Sequence, residues 1–137
     1  MEIHGLTEFQ RDLMKTSRKL PKQMPKIMRK IGSKARTHVA KKSRQLIKKD
    51  TGLYHKKWKR GKVFTNNGEI VVRIYNSAPH AHLLEEGHRQ VTKDGREVGF
   101  VRGKYPLKKG IQEFESSGMV DDMFSEWIDQ MLRENKL

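Results

Sequence analysis

Three histidines, His80, His82 and His88, stand within nine residues of one another, beside the carboxylates Glu85 and Glu86. Imidazole and carboxylate are the usual ligands of a divalent cation where thiolates are lacking, and this chain has no cysteine. His80 and His82 are two apart, however, a spacing that puts them on different faces of a helix, and Glu85-Glu86 adds only generic ligands. The set argues against a zinc centre. No serine–histidine–acid arrangement can be nominated for acyl transfer. Gly95-x3-Gly99-x3-Gly103 lacks both the spacing and the Lys-Ser/Thr ending of a phosphate-binding loop. The same glycines have the small-residue spacing of membrane helix pairs, but their neighbours are polar. The residues thus predict no enzyme, no metal and no cofactor.

Charge is the second feature. The net charge is +14, and it is unevenly placed: Arg11 to Lys62 holds 20 Lys and Arg against Asp12 and Asp50, whereas Ile111 to Leu137 holds seven acids against Arg133 and Lys136. A basic first half with an acidic end suits a polyanion such as DNA, or a neighbouring copy joined head to tail. Lys-rich helices also simply carry solvated faces. Lys56, Lys57, Lys59, Arg60 and Lys62 surround Trp58 and are the candidate contacts to DNA or an acidic partner. Trp58 itself reads either as a stacking platform for a base or, preferably, as the inward side chain of an edge strand whose lysines face water.

The elements that position these residues follow from patterning. A chain of 137 residues, 34% hydrophobic and 34% charged, is one domain with a modest core. It has no apolar run approaching the ~20 residues that span a bilayer. A basic start followed by an apolar block is also missing, so no signal peptide is expected. Leu6, Phe9, Leu13 and Met14 make a helical stripe that ends near Pro21, setting residues 1–24 apart as a separate N-terminal helix. A second, basic helix starts at Pro25 and carries Ile27, Met28, Ile31, Ala35, Val39, Leu46 and Ile47 to about Lys49, where Asp50-Thr51-Gly52 stops it. Asn66-Asn67-Gly68 predicts a tight hairpin pairing Val63-Phe64-Thr65 with Ile70-Val71-Val72. Glu69 to Tyr75 is the clearest strand. Pro79 opens a short helix that ends at Gly87, and residues 88–104 form a long glycine-punctuated loop containing a short strand at Glu97 to Val101. Pro106 opens an amphipathic helix, interrupted at Ser116-Ser117-Gly118, that should lie on the sheet. The fold class is therefore α+β: a small antiparallel sheet with an N-terminal basic helix, a C-terminal amphipathic helix, a short central helix and a long loop.

Asp50-Thr51-Gly52-Leu53, the hairpin into Val71-Val72-Arg73-Ile74-Tyr75-Asn76, His80 to His88 with its Ala81-x-Leu83-Leu84-Glu85-x-Gly87 core, and Gly103-x2-Pro106-Leu107 occur in this order over Lys41 to Leu137. That order resembles the tail-completion, or head–tail joining, proteins of tailed bacteriophages, a family often labelled a minor tail component. Many relatives begin the core with Tyr-Ala and end it with Gly-Thr, where this chain has His80-Ala81 and Gly87-His88.

The resemblance implies a non-enzymatic virion protein, made in the host cytoplasm. Its copies would form a ring, sixfold to match the tail tube, at the neck between the head-completion or connector protein and the tail tube protein, with DNA passing through and contacted without sequence preference. On that reading Leu83 and Leu84 belong to the supporting core. Glu85, Glu86, His88, Val98, Phe100 and Arg102 are the candidate assembly contacts, in a loop that is mobile until a neighbour orders it. The competing class is a free-standing, sequence-nonspecific nucleic-acid-binding protein that uses residues 41–62 as its electrostatic footprint, with no membrane partner in either case.

Overall fold

The computed structural model of the chain describes residues 1–4, 20–48 and 52–134. Along them run β1 (Glu2–His4), α1 (Leu20–Leu46), α2 (Leu53–Lys56), β2 (Trp58–Arg60), β3 (Phe64–Asn66), β4 (Glu69–Asn76), α3 (Ala81–Glu86), β5 (Gly87–Val91), β6 (Glu97–Arg102), α4 (Pro106–Ser116) and α5 (Met119–Arg133). This is the expected α+β class, with a long basic helix near the start and an amphipathic helix pair at the end.

The β-branched run in β4 makes it the centre of the sheet. Its Ile74 faces one edge, where β1 pairs antiparallel with Glu2 opposite Arg73 and His4 opposite Val71. Its Arg73 carbonyl faces the other edge and accepts from the Gly61 N–H at 2.8 Å. On that edge Lys59 lies opposite Tyr75 in β2, and Phe64 opposite Val71 in β3. The register shifts by one residue between β2 and β3, so residues 61–63 are a bulge within one bent strand. Asn67 at φ 51° and Gly68 at φ 81° close the hairpin, as Asn-Gly predicts, because turns with both central residues left-handed match the strands' twist. Thr65 opposite Ile70 and Phe64 opposite Val71 are as expected, whereas Val63 falls in the bulge.

The basic helix is longer than Pro25 suggests. It begins at Leu20 and runs through Pro21 and Pro25, so Pro25 does not start it. Pro21 sits in the first turn, where a missing N–H is harmless; Pro25 forfeits one intrahelical bond, at a cost of about 3 kcal/mol. Met24, Ile27 and Met28 are buried, and complete burial contributes about 1.5–3 kcal/mol for each such side chain. Burial outweighs the proline. Of residues 1–24, Glu2–His4 is a strand and Leu20 to Met24 belongs to α1, while the Leu6 to Met14 stripe lies outside the described residues. Gly52 is left-handed (φ 84°) and precedes the single turn α2, rather than directly ending α1.

Ile31, Ala35 and Val39 continue the buried face of α1 against Trp58, Val72 and Ile74 from the sheet and Ile111, Phe114 and Phe124 from the helix pair. Trp58 is 4% exposed and its indole N–H donates to Ser43 Oγ at 3.0 Å, so its ring is inward and no stacking platform exists. Chain direction breaks at Ser117-Gly118, as expected. The helix pair packs chiefly on α1 and not, as the patterning suggested, on the sheet. Two glycines permit this arrangement. A Cβ on Gly32 would stand 2.7 Å from Val72 Cγ2, and one on Gly110 would stand 3.0 Å from Val39 Cγ2. Glu113 of α4 also joins α1, accepting from Lys42 at 2.6 Å and lying 3.3 Å from His38 Nε2.

Gly32→Val should lower stability by about 1–3 kcal/mol in urea unfolding, because the added branch must displace Val72 or Arg60. An unchanged midpoint would mean that α1 does not approach the sheet so closely. The Lys42 hydrogen bond, helped by His38, holds the Glu113 carboxyl below its ordinary range. A depressed carboxyl stabilises the fold above its unfolded pKa and loses that contribution as pH falls through the folded value. Wild type should therefore melt above Glu113→Gln at neutral pH, with the two converging as pH falls below the ordinary carboxylate range. A gap of constant size would contradict the pairing.

Candidate assembly interface

The stretch from Asn76 to Gly87 is held in shape by backbone-directed hydrogen bonds. Asn76 ends β4, donates from its side-chain amide to the Tyr54 carbonyl at 2.9 Å and accepts from the Ala78 N–H at 2.9 Å. Ser77 N–H donates to the Lys57 carbonyl at 3.0 Å. These bonds turn the chain off the sheet and into α3, which starts at Ala81 instead of Pro79. Pro79 lies in the preceding turn. Burial pushes the Tyr54 hydroxyl well above its ordinary pKa, and the Glu85 charge adds to that effect.

Glu85 has a role that its sequence neighbours do not reveal. Its two carboxylate oxygens accept from the Leu107 N–H at 2.9 Å and the Lys108 N–H at 3.0 Å. Those amides belong to the first turn of α4, whose own N-cap, Tyr105, makes no side-chain cap. A carboxylate there satisfies two otherwise unpaired donors and complements the positive end of the helix dipole. Glu85 is thus committed within its own chain. Sequence reading missed it because the partners lie 22 and 23 residues away.

At Gly87 the chain leaves α3 with φ 93°, and Gly103 crosses directly behind it. A Cβ on Gly87 would collide with the Val101 carbonyl and stand 2.7 Å from the Gly103 nitrogen; one on Gly103 would collide with the Glu85 carbonyl and stand 2.7 Å from the Glu86 Cα. Lys104 and Tyr105 N–H groups donate to the Leu84 and Glu85 carbonyls at 3.0 and 3.1 Å. Backbone lies on backbone, so both positions require glycine.

Between these glycines the structure differs from the expected loop. Residues 87–102 form an antiparallel ribbon, β5 with β6, in which His88 faces Val101 and Arg89 faces Phe100, with an irregularity between Gln90 and Val91. Its tip closes on itself: Thr92 N–H donates to the Arg96 carbonyl at 2.9 Å, Gly95 is left-handed, and the Thr92 hydroxyl donates to Asp94 and holds that carboxyl below its ordinary range. The predicted strand at Glu97 to Val101 is present as β6. Its partner β5 was not foreseen, because Gly87-His88-Arg89-Gln90 shows no apolar alternation.

The ribbon stands away from the body and leans on little besides α3, which it leaves. Pairing puts Arg89 on one face with Phe100 and, by alternation, Arg102, while Val91 and Val98 flank the irregularity, where β6 carries one extra residue. Val91, Val98 and Phe100 are 55%, 57% and 60% exposed. A lone two-stranded hairpin is marginally stable in water, and this one leaves three apolar side chains exposed. Of the sequence candidates, Val98, Phe100 and Arg102 all lie on β6. His88 turns to the opposite face, and Glu86 is exposed at the root. The basic candidates are dispersed. Lys56 and Lys62 are exposed and Lys57 is half-buried, while Lys59 and Arg60, as neighbours in β2, point to opposite faces of the sheet.

The family described as "Bacteriophage HK97-gp10, putative tail-component" matches residues 7–87, more than half of the chain. The chain belongs to this family of bacteriophage tail components. The match takes in the whole of α1, of which the motifs over Lys41 to Leu137 reach only the C-terminal end, and stops at Gly87, where the ribbon begins. No curated protein and no solved structure matches the chain.

Replacing Glu85 by Ala should lower stability by about 1 kcal/mol and speed hydrogen exchange at Leu107 and Lys108, as loss of a helix cap does. Unaltered exchange at those amides would exclude the capping role. In the isolated protein the β5 and β6 amides should exchange faster than those of Val71 to Ile74, since only one ribbon partner protects them.

Proposed function

We propose that this chain is a neck subunit that joins the DNA-filled head to the tail. Copies close into a ring, sixfold to match the tail tube, between the head-completion or connector protein and the tail tube protein. DNA passes through the ring at infection. The carrying observation is the exposed apolar side chains of the ribbon, Val91, Val98 and Phe100, each more than half exposed on a hairpin that little in its own chain supports. Covering them would remove apolar surface worth roughly 1 kcal/mol or more for each side chain. In a ring each ribbon meets a different surface of its neighbour, the heterologous contact that ring closure needs. Val98, Phe100 and Arg102 would make that contact, with Glu86 at the ribbon's root and His88 on its other face. Glu85 holds the root and does not reach across.

Particles from a phage with an early stop codon in this gene should separate into filled heads and finished tails. Supplying Val98→Asp/Phe100→Asp in trans should leave them separate, although the variant unfolds within about 0.5 kcal/mol of wild type, as exposed substitutions do. Joined, infectious particles in either experiment would contradict the proposal.

A further inference from the structure

The outer face of α1 has a property that assembly of copies alone does not account for. From Leu20 to Lys48 the chain carries ten Lys and Arg and no Asp or Glu. Eight of the ten, including Lys22, Lys26, Arg29, Lys30 and Lys34, are exposed. Lys26, Lys30 and Lys34 recur every four residues, about 6 Å apart along one side of the helix. With Arg29 they line an open groove of about 680 Å³, into which β2 contributes Arg60 and α5 contributes Met123. None of the four α1 cations has an ion-pair partner among the described residues.

Two occupants fit a basic face: the acidic side of a neighbouring copy, or an external polyanion. Charge conservation separates them. However the basic and acidic faces of identical copies pair, each copy still brings +14, so a ring of any size keeps that excess per subunit. Small counterions balance it in solution, and a polyanion from outside the set of copies can take their place. Evenly spaced cations uninterrupted by acids suit a partner whose charge also repeats evenly. Each strand of duplex DNA presents one phosphate per ~3.4 Å of helix axis over its whole length.

We infer that the groove along α1, with Lys26, Arg29, Lys30, Lys34 and Arg60, is a binding site for the phosphate backbone of duplex DNA, and that it reads no sequence. The lysines around Trp58 are not its centre. Lys59 points away from α1 across the sheet, and of that segment only Arg60 reaches the groove. Phosphate contacts position a protein on DNA without base information. The inference draws on the neck assignment only for where the protein meets DNA. Binding itself is measured on the isolated chain, so it can fail or hold whether or not heads and tails join.

The test is titration of two labelled duplexes of unrelated sequence, from about 50 to 200 mM salt, with wild type, K26Q/K30Q/K34Q and K56Q/K59Q/K62Q. Each phosphate contact contributes about 0.9 to the slope of log affinity against log salt. Five contacts predict a loss of about 500-fold over this range for wild type, against about 12-fold for K26Q/K30Q/K34Q. K56Q/K59Q/K62Q should match wild type, both duplexes should bind alike, and thermal melting should report all three proteins folded. Four results would each overturn the inference: an unchanged slope in K26Q/K30Q/K34Q, an equal loss in K56Q/K59Q/K62Q, a preference for one duplex, or displacement of DNA by polyglutamate at equal charge. The last would make an acidic protein the occupant.

Discussion

The crossing of Gly87 and Gly103 is the constraint on which the working part of this molecule depends. There the end of α3 lies against the end of the ribbon with no side chain between them. Glu85, two residues before the crossing, caps α4 three residues after it. One short segment therefore fixes the exit of the ribbon and the start of the helix pair together. Because the helix pair packs on α1, and α1 on the sheet, the direction of the ribbon is referred to the whole core. A side chain at either glycine would push the ribbon off its root and loosen the cap.

The two halves of the chain divide the physical work. The sheet, α1 and the helix pair bury the large apolar side chains, among them Phe114, Phe124, Ile31 and Ile74. The ribbon buries almost none. Apolar residues that a folded chain leaves uncovered on a marginal hairpin carry a standing cost unless a partner covers them, which is why they point to assembly. The tip closes on itself at Thr92 to Arg96, and Arg89 and Arg102 put charge beside the apolar residues, a pattern that discourages edge-to-edge pairing.

Much of the fold was legible where local chemistry decides. Asn67-Gly68 announced its turn because few other pairs adopt two left-handed residues, and the register of β3 on β4 followed from it. Trp58 read as inward because lysines flank it. Other features were hidden because the deciding energy is not local. Pro25 looks like a helix start, but burial of Met24 and Met28 carries α1 through it. β1 is three residues whose strand character exists only beside β4. β5 is polar and is defined by its ladder with β6. Val98, Phe100 and Arg102 were found as candidates because apolar residues in a polar stretch stand out. Glu85 was grouped with them by adjacency, whereas its partners are far along the chain. Lys56 to Lys62 were grouped by density of charge, whereas Lys59 and Arg60, as neighbours in a strand, face opposite ways.

The central claim is that Val98 and Phe100 are free in the separate protein and covered in the particle. The chain lacks cysteine, so Val98→Cys provides a single thiol on the ribbon. Its rate of labelling by a maleimide, measured on the isolated protein and on joined particles, tests the claim most directly. The account predicts rapid labelling of the isolated protein and strong protection in particles. Equal rates in both would contradict it.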